Sequence, residues 1–267
     1  MKMNQPHLEK LCHSSIQLVE DVASFIQDQM GKVDEEDIET KSLNSLVSYV
    51  DKKAEEKLVS GLKARLDGAV FLTEEETISQ EEGEYQWIID PLDGTTNFLH
   101  QLPFFCISVA LRHHDNIVMG IVYEVNRKEC FYAWENGGAW LNDKPIKVST
   151  RTNFADTLLA TGFPYYDYDQ LEAYIKTFQQ LITQTRGIRR FGSAALDLAY
   201  VACGRFDAYF EYSLHAWDVA AGILLVQEAG GKVSDFKGGN DYLFGKEMLA
   251  GTTVSHEAIL KILKEHF

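Results

Sequence analysis

The sequence predicts an α+β fold of two tightly packed subdomains, residues 1–150 and 151–267, and three observations carry that prediction. Two early segments repeat apolar residues at helical spacing. A stretch of strands joined by short turns follows, and beyond about residue 150 helices and strands alternate. The 267 residues suffice for a large buried core.

In chain order, Leu11, Ser15, Leu18, Val22 and Ile26 place a helix over 7–30. Leu46, Val50, Ala54, Leu58 and Leu62 place a second helix over 46–66. Bulky and β-branched runs at 69–72, 85–90, 104–112, 117–125 and 129–134 read as strands. Gly137-Gly138 and Asn142-Asp143 mark tight turns, so these strands join as a largely antiparallel sheet packed on the two helices. In the second half, 157–161 reads as a strand and 168–185 as a helix, and 193–203 as a small-residue helix stopped by Gly204. Residues 205–212 alternate, with Phe206, Ala208, Phe210 and Tyr212 on one face, and 217–229 is a helix ended by Gly230-Gly231.

Composition narrows the function. Apolar residues make up 45% and charged residues 24%, which is ordinary for a globular protein. Forty acidic against 25 basic residues leave a net charge of −15, which repels a nucleic-acid backbone. No apolar run reaches membrane-spanning length, and the N-terminus lacks the layout of a signal peptide. Cys12, Cys106, Cys130 and Cys203 form no CxxC pair and read as small core residues of a reducing, cytoplasmic compartment.

The informative stretch is Trp87–Phe98, WIIDPLDGTTNF. A buried strand ends on two carboxylates, Asp90 and Asp93. Pro91 and Gly94 force a turn, and Thr95 or Thr96 is placed to cap a short helix through Asn97, Phe98 and Leu99. Two carboxylates at one turn repel each other unless a cation sits between them, and Mg²⁺ prefers such oxygen ligands. Phe71–Glu76, FLTEEE, is a second apolar run ending on carboxylates. In His215–Ala221, HAWDVAA, Asp218 opens a nearly uncharged helix, where it can also serve simply as a cap.

WIIDPLDGTTNF together with Trp217–Gly231, WDVAAGILLVQEAGG, closely resembles the paired signatures of the inositol monophosphatase family. Gly137–Ser149 and the segment FGSAALDLAYVACGRFDAYFE, ending at Glu211, are also similar to it, and the likeness runs from about residue 5 to the C-terminus. The resemblance implies a layered α-β-α-β-α sandwich and a Mg²⁺-dependent, lithium-sensitive hydrolase of small polyol phosphates, often a homodimer. It implies Glu74, Asp90 and the Leu92 carbonyl around one ion, and Asp90, Asp93 and Asp218 around a second. A third, weaker ion is left open near the acidic loop 75–84.

By the same resemblance, Glu74 and Thr95 position and help deprotonate the attacking water, and the Gly94 and Thr95 N–H groups hold phosphate. Asp93, Asp218, Glu211 and the Gly192-Ser193-Ala194 turn line the substrate pocket, Glu211 binding a hydroxyl of the leaving polyol. Lys41 and Asp51 stand as the pair behind the water-side carboxylate. Thr73 departs from the family pattern, which has Gly before its Glu-Glu pair, and leaves Glu74 against Glu75 open; Ser45 replaces a common Asp. His100, His113, His114 and His215 read as surface or structural residues. Inositol 1-phosphate is the expected substrate. The alternatives are NADP, a 3′-phosphoadenosine nucleotide or fructose 1,6-bisphosphate, with Arg189-Arg190 or Tyr165-Tyr166 supplying contacts. A different class is a regulatory binding protein without catalysis.

Overall fold

The computed structural model describes residues 3–42, 45–164 and 167–267. Helix α1 (Gln5–Gln29) is capped by Asn4, whose side chain accepts from His7 N at 3.1 Å. A hairpin of β1 (Ile38–Ser42) and β2 (Ser45–Ser48) leads into α2 (Tyr49–Lys63). The second helix therefore starts later than the apolar spacing from Leu46 predicts. Ser48 and Asp51 form a reciprocal capping box that starts the helix at Tyr49, a signal present in the sequence as Ser-x-x-Asp.

A seven-stranded sheet follows in chain order: β3 (Val70–Thr73), β4 (Tyr85–Asp93), β5 (Cys106–His113), β6 (Asn116–Glu124), β7 (Glu129–Trp134), β8 (Ala139–Leu141) and β9 (Lys144–Ile146). Only β3 and β4 run parallel; the short helix α3 (Thr95–Leu99) leaves the end of β4. The second half supplies β10 (Leu158–Thr161), α4 (Leu171–Gln184), β11 (Gly187–Arg189), α5 (Ala194–Ala202), β12 (Ala208–Tyr212) and α6 (Ala216–Glu228). It ends in β13 (Lys232–Ser234), β14 (Glu247–Gly251) and α7 (Thr253–His266). Its strands form a five-stranded sheet in the order β11-β10-β12-β14-β13. The last helix has its own local signals: Thr252 caps α7, and Ile259, Ile262 and Leu263 fall at helical spacing.

Three apolar clusters define five layers, α-β-α-β-α. Leu8, Val19, Ile26, Val50, Leu58 and Leu62 of α1 and α2 pack on Trp87, Ile89, Ile107 and Val109 from one face of the first sheet. The opposite face, with Ile88, Ala110 and Val122, packs on α5 and α6, which also meet Tyr209, Met248 and Ala250 of the second sheet. Phe210, Tyr212 and Leu249 on that sheet's outer face pack on Tyr174 and Leu181 of α4 and Ile259 of α7. The strand alternation of β4 and β12 is thus read out by different helix layers.

The central helix layer is covered on both sides, which explains its small residues. A Cβ on Gly120 would stand 2.8 Å from the Ala221 carbonyl oxygen, so the glycine lets α6 lie directly on β6. Phe206 precedes β12 and packs in the central cluster, not with Ala208, Phe210 and Tyr212 as simple alternation predicts. Among the described residues no helix is long and apolar enough to cross a membrane.

Candidate active site

The end of β4 carries the site. In a regular strand Asp90 and Asp93, three residues apart, would face opposite sides. Here Asp90 pairs with Ser108 and Asp93 with Cys106, so three steps on β4 match two on β5. That bulge, at Pro91-Leu92 where no proline N–H is available to the ladder, turns both carboxylates to the same face. Asp90 Oδ1 accepts from Leu92 N at 2.9 Å and closes the turn. Gly94 then adopts φ 98° as the N-cap of α3, a position where a Cβ would crowd the Phe104 and Gly192 carbonyls at 3.1 and 3.3 Å.

The expected Thr cap of α3 is replaced by a different use of Thr95. The N-cap is Gly94, and the Thr95 hydroxyl lies 2.9 Å from Asp51 Oδ1 and 3.0 Å from the Leu92 carbonyl. Asp51 is buried and its other oxygen accepts from the Ser48 N–H and hydroxyl at 2.8 and 2.7 Å. It is therefore an anchored acceptor for Thr95. The Lys41 side chain, expected beside it, lies outside the described residues, as do Tyr165 and Tyr166.

Glu74, Asp90, Leu92, Asp93, Thr95 and Asp218 line one cleft of about 340 Å³ with Gly94, Gly192, Ser193, Ala194 and Glu211. Each of the expected pocket residues other than Asp51 and Lys41 thus borders the same space. Asp93 Oδ2 accepts from Ser193 Oγ and from Ala195 N, both at 2.7 Å, which joins the strand end to the start of α5. Asp218 performs two tasks: one oxygen accepts from His215 N at 2.7 Å and caps α6, while the residue also borders the cleft. His215, read from sequence as surface or structural, lines the cleft too, its ring stacked on Trp217 with centroids 4.6 Å apart.

Glu55 is the supporting residue that motif reading missed. It is fully buried in α2, and its carboxylate accepts from Thr73 Oγ1 (2.9 Å), Glu75 N (2.8 Å), Thr77 N (2.8 Å) and Thr77 Oγ1 (2.7 Å). Four donors on one buried carboxylate fix the loop after β3. Thr73, the departure from glycine, uses its hydroxyl in this network. Glu74 and Glu76 border the cleft, whereas Glu75 is not among the residues lining it. A buried glutamate in the second helix preceding a threonine-rich loop was the available signal, but nothing in the spacing pairs the two.

Glu211 is buried, not the exposed end of a strand. It projects from β12 on the same side as Tyr209, whose hydroxyl donates to Glu211 Oε2 at 2.5 Å. Gly162 makes the space: a Cβ there would fall 2.0 Å from Glu211 Oε2. Asp197, also on the cleft wall, is fully buried with no hydrogen-bond partner for either oxygen among the described residues. Arg190 borders the cleft as well, whereas Arg189 is exposed on β11.

Electrostatics describes an unbalanced acidic centre. Burial first, then the charges of Glu74, Asp93 and Asp218, holds the Asp90 carboxyl well above the usual carboxylate range. Burial and the Asp93 charge act likewise on Asp218. Burial pushes Asp93 up to about 6, against the lowering hydrogen bonds of Ser193 and Ala195, and pushes Glu211 up to about 7. Mutually repelling buried carboxylates are a fitting oxygen-ligand set for a divalent cation, whose charge would cancel the repulsion.

Comparison with known proteins identifies the family. A sequence model of the inositol monophosphatase family matches residues 7–267. The chain is 40% identical over 236 residues to an inositol-1-monophosphatase of Mesorhizobium japonicum, covering 88% of this chain and 89% of that one. It is 38% identical over 264 residues to a Nus factor SuhB of Pseudomonas aeruginosa, covering 97% of each. The crystal structure of the extragenic suppressor protein suhB from Bartonella henselae superposes with a TM-score of 0.90 at 38% identity, over 96% of this chain and 98% of that one. By sequence and by fold, the chain belongs to the inositol monophosphatase family.

Proposed function

We propose that this protein hydrolyses a phosphate monoester of a small polyol, inositol 1-phosphate first, with Mg²⁺ and a water nucleophile. The observation that carries the reading is the convergence of Glu74, Asp90, Asp93 and Asp218 on one cleft beside the Gly94 turn. Glu74, Asp90 and the Leu92 carbonyl would hold one Mg²⁺, and Asp90, Asp93 and Asp218 a second. Bound there, the ions would supply water activation and neutralise charge on the phosphoryl and leaving oxygens.

The chain's own groups do the positioning. With its proton directed to Asp51, the Thr95 hydroxyl keeps lone pairs free to accept a hydrogen bond from the attacking water. Glu74 is the second acceptor on that side. The Gly94 and Thr95 N–H groups point phosphate oxygens into line, and water oxygen bonds to phosphorus as the bond to the polyol oxygen breaks. Glu211 accepts from a hydroxyl of the leaving polyol. Ser193, committed to Asp93, is not needed as a nucleophile.

Glu211 beside the leaving-group space favours a neutral polyol over a second phosphate, which supports inositol 1-phosphate over NADP, a 3′-phosphoadenosine nucleotide or fructose 1,6-bisphosphate. Arg190 is the residue that would serve those anionic alternatives. The name Nus factor SuhB, carried by a relative matched over nearly its whole length, supports a second reading as a regulatory binding protein. The complete carboxylate set favours hydrolysis, and a net charge of −15 argues against direct RNA contact.

Phosphate release across this substrate panel tests the reading, with Mg²⁺ and with chelator. Turnover of inositol 1-phosphate that needs Mg²⁺ and is inhibited by Li⁺ beyond equal Na⁺ or K⁺ is the expected result. No release from any member would overturn it.

A further inference from the structure

We propose that Glu84, His113 and His114 form a separate cation site for a late first-row divalent metal, Zn²⁺ being the probe of choice. One ligand atom from each of the three side chains lies within 4.8 Å of the other two. The group sits at the opposite end of β4 from the cleft. Glu84 precedes Tyr85, where the strand starts, while Asp90 and Asp93 end it. Six to nine residues at about 3.3 Å each separate the two places by roughly 20–30 Å.

The backbone explains why these side chains meet. Adjacent strand residues normally point to opposite faces. His113 ends β5 opposite Tyr85, and His114 leaves the strand with φ 52°, a left-handed turn that brings the two imidazole centroids to 4.4 Å. His114 N donates to the Glu84 carbonyl at 3.2 Å, which places the glutamate beside the pair. The His113 ring is buried against Tyr85, centroids 4.5 Å apart, with its Nε2 3.4 Å from Glu84 Oε1. Arg112 Nε donates to the His114 carbonyl and holds the turn from behind.

The donor chemistry differs from that of the cleft. Two imidazoles and a carboxylate suit Zn²⁺, Ni²⁺, Co²⁺ or Cu²⁺ at nitrogen distances near 2 Å, and binding would draw the exposed Glu84 and His114 side chains in until the ligand atoms stand roughly 3.3 Å apart. The cleft offers oxygens alone and suits Mg²⁺. Three protein ligands would leave a fourth position for water. A metal here would tie the start of β4 to the β5–β6 turn and stabilise the folded chain in proportion to its occupancy. This inference does not rest on the phosphatase reading.

The test is Zn²⁺ calorimetry on chelator-stripped full-length protein held at saturating Mg²⁺, which occupies the oxygen ligands of the cleft. A parallel Co²⁺ titration is read by visible absorption for nitrogen ligation. Wild type should take up one Zn²⁺ per chain and melt at a higher temperature with it. His114→Ala and Glu84→Gln, both at exposed positions, should weaken uptake by at least about tenfold and leave Mg²⁺-dependent phosphate release unchanged. His113→Gln should do the same. Zn²⁺ uptake that vanishes at saturating Mg²⁺, or an isotherm unchanged in the His114→Ala, Glu84→Gln double variant, would overturn the proposal.

Discussion

Asp93 and Ser193, a hundred residues apart, are joined by a 2.7 Å hydrogen bond from the serine hydroxyl to the carboxylate. The serine is also the N-cap of α5, accepting from Leu196 N at 3.4 Å. One side chain therefore starts a helix of the central layer and aims a carboxylate of the first sheet. Ser193→Ala should cost about 0.5–2 kcal/mol of stability through the cap and lower kcat/KM about tenfold or more through Asp93. Asp93→Asn should nearly abolish turnover with little change in melting temperature. Steady-state rates at saturating Mg²⁺, beside thermal melts, check both. Near-normal turnover in Asp93→Asn would sink the two-ion assignment.

Glu55 should matter more for order than its distance from any motif suggests. Glu55→Ala strands the Thr73 and Thr77 hydroxyls and the Glu75 and Thr77 N–H groups beside a buried gap. Thr73 is buried and Glu75 partly so, whereas Thr77 is exposed and its groups turn to water; an unsatisfied buried group costs about 1–3 kcal/mol, so a loss of about that size is expected. Glu55→Gln, which keeps the volume but exchanges acceptors for donors, should fall in between and raise the Mg²⁺ concentration needed for half-maximal rate. An unchanged melting curve for both would show the loop to be held by other contacts.

The acidic centre sets a pH dependence whose sign follows from its raised carboxyls. Asp93 at about 6 and Glu211 at about 7 hold protons in the folded state that the unfolded chain releases at the ordinary carboxylate range. Their contribution to stability is present below that range and is lost as pH rises through about 6 and about 7. Chelated protein should therefore melt at falling temperature between about pH 5 and 8. Mg²⁺ should flatten or reverse the fall by binding the ionised cluster. Parallel slopes with and without Mg²⁺ would contradict this coupling.

Glu211→Gln tests what the leaving group is. It keeps the side-chain shape and leaves the proposed metal ligands in place. Losing a charge-assisted bond to a polyol hydroxyl costs about 1.5–3 kcal/mol, so kcat/KM for inositol 1-phosphate should drop about tenfold to a hundredfold. Fructose 1,6-bisphosphate and nucleotide substrates should fall less or improve. An equal fall for all substrates would assign Glu211 to general support of the pocket.

The outer face of α4 bears on assembly. Leu171, Ile175 and Ile182 are 39%, 51% and 49% exposed, and at 100° per residue they lie within a 40° stripe of the helix. Such a stripe supports the homodimer that the family resemblance implies. Ile175→Glu with Ile182→Glu should convert a dimer to single chains in light scattering, at unchanged helix content. A wild-type mass of one chain at all concentrations would refute the dimer.

Much of the molecule follows from local patterning. The spacing of Leu11, Val22 and Ile26, the strand runs through Trp87 and Ile107, and the DPLDGTT turn determine the helices, the strands and the placing of Asp90 and Asp93 at a turn from neighbouring residues alone. The family signatures carried the five-layer order. Other features depended on partners far along the chain, and only packing decided them. The bulge that turns Asp90 and Asp93 to one side needs the register of β5. The choice of Glu74 over Glu75 for the cleft follows from Glu55 gripping the loop across 20 residues of sequence. Burial of Glu211 needs Gly162, just beyond the end of the neighbouring strand β10. Local spacing encodes which face a side chain takes, whereas the partner that satisfies a buried charge is chosen by the chain's return to that face.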